Sequence, residues 1–345
     1  MKTQIRHVGA ATALILISLP TLAHHSSAPF EDESTIRLQG TVTRLKWANP
    51  HVYIEVETRD EYGNSVQWLI EGLPPAGLRE SGWSRDSLTP GEEIVFAGHP
   101  SRNSAHKRIL GESIIKTDGT ILMMPNAKNR STMPPVDLED PFVADSLSGR
   151  WRTRWNPQVA SQFLAPQTRW SLTDRGREAM ETYNAHLDPA TRCIPEPSPY
   201  AMIWPSGKSI EISTDQIRIR DELDIERIVH MKAVGHEGAD YVDQGHSIGW
   251  WEDGVLVIDT SHFAEHRRGL AFGGLASSRK KHLVERFELQ ADRTALTYSY
   301  WLEDPVYLSE PVSGELTLVY RPDQPFLHQP CDIESAARHL EHVPQ

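Results

Sequence analysis

Cysteine is scarce in this chain: 345 residues include only Cys193 and Cys331. Two thiols so far apart make no four-cysteine zinc centre, iron–sulfur cluster or Cys-x-x-Cys redox motif; the simplest use left is one disulfide. Long apolar runs are scarce too. Beyond residue 23 no stretch approaches the roughly 20 apolar residues of a membrane-spanning helix. Positive charge is in deficit, with 35 Lys and Arg against 47 Asp and Glu and a formal net charge of −12. Such a surface repels phosphate backbones, and no basic stripe with interleaved aromatics offsets it, so no nucleic-acid partner is expected. The cluster Arg279-Lys280-Lys281, beside a Gly-rich loop, reads as a solvated turn. There is no internal repeat, and no Gly-x-Ser-x-Gly elbow that follows a strand and opens a helix.

The apolar residues that do run together stand at the start. Lys2 and Arg6 precede the apolar Val8–Leu22, and Ala23 supplies a small residue for cleavage. That order predicts a secretory signal peptide over residues 1–23 and a periplasmic or secreted protein. There is no Arg-Arg pair for the twin-arginine route and no following cysteine to carry a lipid. Loss of the leader leaves 33 basic against 47 acidic residues, a net charge of −14. In an oxidising compartment Cys193 and Cys331 are predicted to pair, contributing about 4–5 kcal/mol on chain-entropy grounds. The new terminus would read His24-His25-Ser26-Ser27. An α-amine with His24, His25 and a folded-in His51 is a donor set suited to copper. The plainer alternative is a solvated terminus, with His51 making one hydrogen bond.

Alternation of apolar and polar residues marks strands through most of the rest. Val52, Ile54 and Val56 share one face, and Val66, Trp68 and Ile70 another, across the turn at Asp60–Asn64. Pro74–Glu80 reads as a short helix with prolines at its start, between the third and fourth of five strands. That is the layout of a small OB-like Greek-key barrel over residues 24–122. Residues 123–146, with four prolines, read as a linker. From 147 to 345 a helix capped by Thr173 precedes many short antiparallel strands, and a short helix from Asp332 ends the chain. The predicted class is all-β, mainly antiparallel, with two barrels and few short helices.

Several segments resemble uncharacterised exported bacterial families. In the first part these are His24-His25-Ser26, Trp47-Ala48-Asn49-Pro50-His51 and Gly82–Gly91. In the second they are Arg192-Cys193-Ile194-Pro195, Gly245-His246-Ser247-Ile248-Gly249, Trp251-Glu252-Asp253-Gly254, Val257-Ile258-Asp259-Thr260 and Leu283–Phe287. The Gly149-Arg150-Trp151 start resembles that of lipocalin-like barrels. The resemblance implies architecture and export; it transfers no catalytic residue.

Candidate chemistry therefore rests on the residues themselves. Tyr298 and Tyr300 on one strand, Tyr320 on the next and Phe287 beside them are predicted to line the second barrel, with Glu285 a lone carboxylate among them. Aromatics with one polar group are what a small-ligand pocket needs; a filled core with Glu285 paired to an arginine such as Arg227 is the alternative. His246 and Asp259 are acid–base candidates, with Ser247, Ser261 and His262 close in sequence. The leading expectation is a small apolar or aromatic molecule bound in the second barrel. The alternatives are a lyase or isomerase using Glu285, His246 or Asp259, and a copper protein using His24, His25 and His51. Whether the chain is an enzyme is left open.

Overall fold

The computed structural model describes residues 29–125 and 141–340, except 32, 80, 155, 156, 205, 224 and 339. The expected signal peptide, His24 and His25, and the centre of the expected linker lie outside the described residues. No helix among those described is long and apolar enough to cross a membrane.

The first barrel is built from β1 (Ile36–Lys46), β2 (Tyr53–Arg59), β3 (Ser65–Glu71), β4 (Glu93–Pro100) and β5 (Arg108–Lys116), with α1 (Pro75–Arg79) between β3 and β4. β1 pairs with both β2 and β4, and a parallel β3–β5 pairing closes the ring. This is the OB arrangement. A bulge between Val42 and Arg44 lets the long β1 bend from one partner to the other. The predicted apolar faces form its core: Val42, Val52, Ile54, Val56, Ile70, Phe96 and Ile114 are all buried. A short β6 (Ile121–Met123) adds to β5 outside the ring.

The second barrel closes nine strands: β7 (Gly149–Thr153), β8 (Gly207–Ile212), β9 (Gln216–Asp221), β10 (Glu226–His230), β11 (His246–Glu252), β12 (Val255–Ser261), β15 (His282–Leu289), β16 (Ala295–Glu303) and β17 (Val312–Tyr320). An odd number of strands cannot alternate direction all the way round a ring. One neighbouring pair must be parallel, and here it is β10–β11. Their connection, residues 231–245, must travel back along the barrel, and it carries His236 and Tyr241 across the outer wall. A separate hairpin of β13 (His266–Ala271) and β14 (Leu275–Ser277) fills the passage from β12 to β15.

The interior is occupied by side chains. Trp151, Phe163, Tyr200, Tyr298 and Phe287 are among the largest fully buried residues. Phe163, from α2 (Pro157–Leu164), stacks on Tyr200 at 5.6 Å and meets Trp170 edge-on at 5.3 Å. A cavity bordered by Met202, Lys208, Ile219 and Arg227 measures about 10 Å³, room for roughly one water.

The predicted helices are found as α3 (Asp174–Glu181), where Thr173 accepts from the Gly176 amide, and α4 (Ile333–Ala337), where Asp332 accepts from the Ser335 amide. The disulfide joins Cys193 to Cys331 across 138 residues. The tail beyond it lies on the first barrel. Cys331 bridges to Asn49, Lys46 pairs with Asp332 and Glu334 at 2.6 Å, and Arg338 pairs with Glu55 at 2.6 Å.

Candidate functional site

Side-chain alternation sorts each strand of the second barrel into an inner and an outer row. On β12, Ile258 and Thr260 are buried, while Asp259 and Ser261 are half-buried. The registers His246↔Ser261 and His282↔Glu303 then place β11, β12, β15 and β16 side by side, with His246, Ser261, His282 and Glu303 outward at one end. Asp259 reaches them from the next outer position. His236 comes from the 231–245 connection, which docks through Val242 N–H to His262 O (3.1 Å) and Ala264 N–H to Val242 O (2.8 Å). Gly245 turns the chain into β11 at φ +70°, where an added Cβ would lie 2.7 Å from the Ser261 carbonyl. Only glycine suits that turn, and it sets where His246 begins.

These residues form one hydrogen-bonded line. His246 Nδ1 is 2.8 Å from His236 Nδ1, and His236 Nε2 is 3.1 Å from Asp259 Oδ1. His282 Nε2 is 3.1 Å from both Asp259 oxygens, and His282 Nδ1 is 3.5 Å from Glu303 Oε1. His230 stacks on His246 with centroids 5.0 Å apart, and His262 on His236 at 5.9 Å. His262 holds a left-handed backbone, φ 57°, and its Nδ1 meets Ser261 Oγ at 2.9 Å.

Proton positions follow from donor and acceptor rules. An ionised carboxylate only accepts, so His236 donates to Asp259 from Nε2. With a single proton on His236, its Nδ1 accepts and His246 donates its Nδ1–H. That assigns a bare lone pair to His246 Nε2, which has no hydrogen-bond partner among the described residues. The electrostatics agree. Burial, with His236, His230 and His262 close by, lowers the His246 pKa and keeps the ring neutral. Burial alone would raise the Asp259 pKa, but hydrogen bonds and charge from His282 and His236 outweigh it and hold the carboxyl below its usual range. The Asp259 hydrogen bond outweighs burial at His282 and raises its pKa, with Glu303 adding to it. One end of the line is thus a neutral base and the other a proton-rich imidazole, titrating groups pushed apart by their surroundings.

The structure brings His246 and Asp259 together through His236 and separates them from Glu285. Glu285 is inside the barrel, 0% exposed. Arg227 donates to it from both terminal nitrogens, at 2.5 and 3.1 Å, and Tyr298 Oη donates at 2.8 Å. Tyr298 and Phe287 are buried beside it, with ring centroids 5.0 Å apart. Tyr300 packs over Gly314, where a Cβ would meet its hydroxyl at 2.4 Å. Tyr320 stands against Trp151, ring centroids 5.0 Å apart. All four predicted lining aromatics are therefore packing partners of other side chains. Gly245–Gly249 spells Gly-x-Ser-x-Gly, yet it enters a strand: Ser247 points inward and its hydroxyl meets that of Thr260 at 2.8 Å. His51 lies on the first barrel, its Nδ1 3.0 Å from both the Gly72 carbonyl and Glu71. No group of three His, Cys, Asp or Glu side chains arranged to hold a metal ion occurs among the described residues.

His236, His282 and Glu303 are the members that sequence reading missed. His282 and Glu303 carry a readable signal, since inward Leu283, Glu285 and Phe287 force His282 outward. His236 carries none, because its segment has no periodicity.

No curated protein matches the chain. Residues 12–109, which take in β1 to β4 but none of the histidine line, match a family described as a family of unknown function (DUF6152).

Proposed function

We propose that the chain is an exported enzyme of the proton-transfer type, a lyase or isomerase, with His246 as its base. The observation that carries this is the unbroken line from His246 through His236 to Asp259, with His246 Nε2 left without a hydrogen-bond partner among the described residues. A base needs a lone pair, a neutral state near pH 7 and a fixed ring; the bond to His236 fixes the ring and its tautomer, and burial, with His236, His230 and His262 close by, lowers the pKa. In the reaction His246 Nε2 takes a proton from a carbon beside a carbonyl, the C–H electron pair moves into the enolate, and the imidazolium returns the proton there or to a leaving group. Export is part of the proposal, supported by the leader-like start and the disulfide. The apolar ligand first expected in the barrel has weaker support, because its lining aromatics fill the space themselves.

The test is hydrogen–deuterium exchange. Ketones and keto acids are incubated with the protein in D2O and followed by proton NMR, with nitrogen NMR of the imidazoles alongside. Wild type should exchange α-hydrogens of at least one compound class, and His246→Asn should abolish this. Asp259→Asn should lower the rate about 10²–10⁴-fold. A His246 protonated at Nε2, with no exchange in the panel, overturns the proposal.

A further inference from the structure

The Arg279-Lys280 turn is not a loosely solvated one. Asp304, 0% exposed, accepts from the Ser278 amide at 2.7 Å and from its hydroxyl at 2.8 Å. Ser278 Oγ in turn accepts from the Lys280 amide at 3.0 Å. On the other side Lys281 is buried, its Nζ donating to Ser198 O at 2.6 Å and Gly269 O at 3.0 Å. The turn is thus pinned at both ends, and the exposed residues between the pins are two cations.

Arg279 is also placed. Its guanidinium lies over the Tyr241 ring, 4.9 Å from the centroid, and Tyr241 packs on His262 at 4.9 Å. His262 stacks on His236 of the relay. Resting a face on a ring leaves the guanidinium edge, with its parallel N–H donors, open to a planar anion. Among the described residues no carboxylate forms an ion pair with Arg279 or Lys280. Other cations share that lack, Arg37, Arg192 and Arg267 among them; Arg279 differs from these in the ring beneath it and the turn pinned on both sides of it. A preset, unpaired cation two aromatic rings, Tyr241 and His262, beyond an acid–base line is what anchoring a charged substrate requires.

We infer that Arg279 binds the carboxylate of the substrate, so that the relay works on an organic acid; this rests on the acid–base reading above. The anchor accepts a carboxylate through two parallel N–H···O bonds, and Lys280 adds charge without fixed direction.

Two measurements separate the anchor from the relay. Benzoate is titrated into wild type, His246→Asn and Arg279→Gln, with NMR of the Arg279 and Tyr241 signals. Saturable shifts are expected in the first two, with affinity about tenfold or more weaker in Arg279→Gln and partly restored in Arg279→Lys. Deuterium exchange is then compared for keto acids and their amides. The acid should be preferred by wild type, and Arg279→Gln should lose the preference through KM. Benzoate binding that ignores Arg279→Gln, or inorganic phosphate binding there more tightly than benzoate, overturns the anchor. Benzoate binding that needs Arg279, with no exchange of any compound, keeps the anchor and overturns the relay.

Discussion

At the scale of single residues, the buried charges decide most of what a substitution does. Glu285 lies in the barrel interior with Arg227 and Tyr298 as its partners. Removing one member strands the other charge away from water. Glu285→Gln should therefore cost about 3–5 kcal/mol in urea denaturation. Glu285→Leu with Arg227→Met should cost clearly less than the two single changes summed, because both charges leave together. His266 gives a second prediction. Burial, the largest influence, lowers its pKa to about 4 from the ordinary 6.5. The unfolded chain then binds the extra proton first on acidification. Stability from this residue is intact above pH 6.5 and is lost as pH falls towards 4, by up to about 3 kcal/mol. His266→Asn keeps an acceptor for the Arg268 amide, which His266 Nδ1 takes at 3.1 Å. Its denaturation midpoint should fall less than that of wild type between about pH 7 and about pH 4.5.

At the scale of elements, the C-terminal strap and the β11 entry turn each depend on one feature. The strap is fixed covalently at Cys331 and electrostatically by Lys46, Asp332, Glu334 and Arg338. Cys193→Ser with Cys331→Ser should reduce stability by about 4–5 kcal/mol, since the bond closes a loop of more than about 100 residues. The same variant should show faster amide exchange over residues 329–338. Gly245→Ala forces a left-handed backbone on an L residue and drives a Cβ towards Ser261 O. It should lower stability by about 1–3 kcal/mol and weaken the His246–His236 bond, visible in the imidazole NMR signals. The strands were legible in the sequence because alternation is local. In β15 and β16, Leu283, Glu285, Phe287, Tyr298 and Tyr300 stand on the inner face as their spacing predicts. The hairpin β13–β14 and α2 were not legible: their burial comes from neighbours far along the chain, and their own periodicity is short.

At the scale of the whole molecule, ring closure makes the site. Nine strands force a parallel neighbour pair, and the long connection that this pair requires carries His236 and Tyr241 over the outer wall. Across the site, the lowered pKa of His246 and the raised pKa of His282 predict opposite responses to acid. His246 stays neutral below the usual imidazole range, so under the proposed reaction exchange should persist in mildly acidic conditions and fall as pH drops through the lowered value. His282 is stabilising in its protonated state, a contribution present below pH 6.5 and lost as pH rises through its raised pKa.

The chain by itself determined what depends on neighbours a few residues away. That covers the inner and outer faces of the strands, the helix caps at Thr173 and Asp332, the OB order of strands and helix, and the pairing of the only two cysteines. Period-two alternation and capping are local physics, written residue by residue. Tertiary structure alone decided that His246 and Asp259 join one hydrogen-bonded line, that Glu285 lies inside the barrel away from it, and that Arg279 rests on Tyr241 beside it. Those relations come from strand register, from the face each side chain takes across a closed wall, and from a connection with no period of its own.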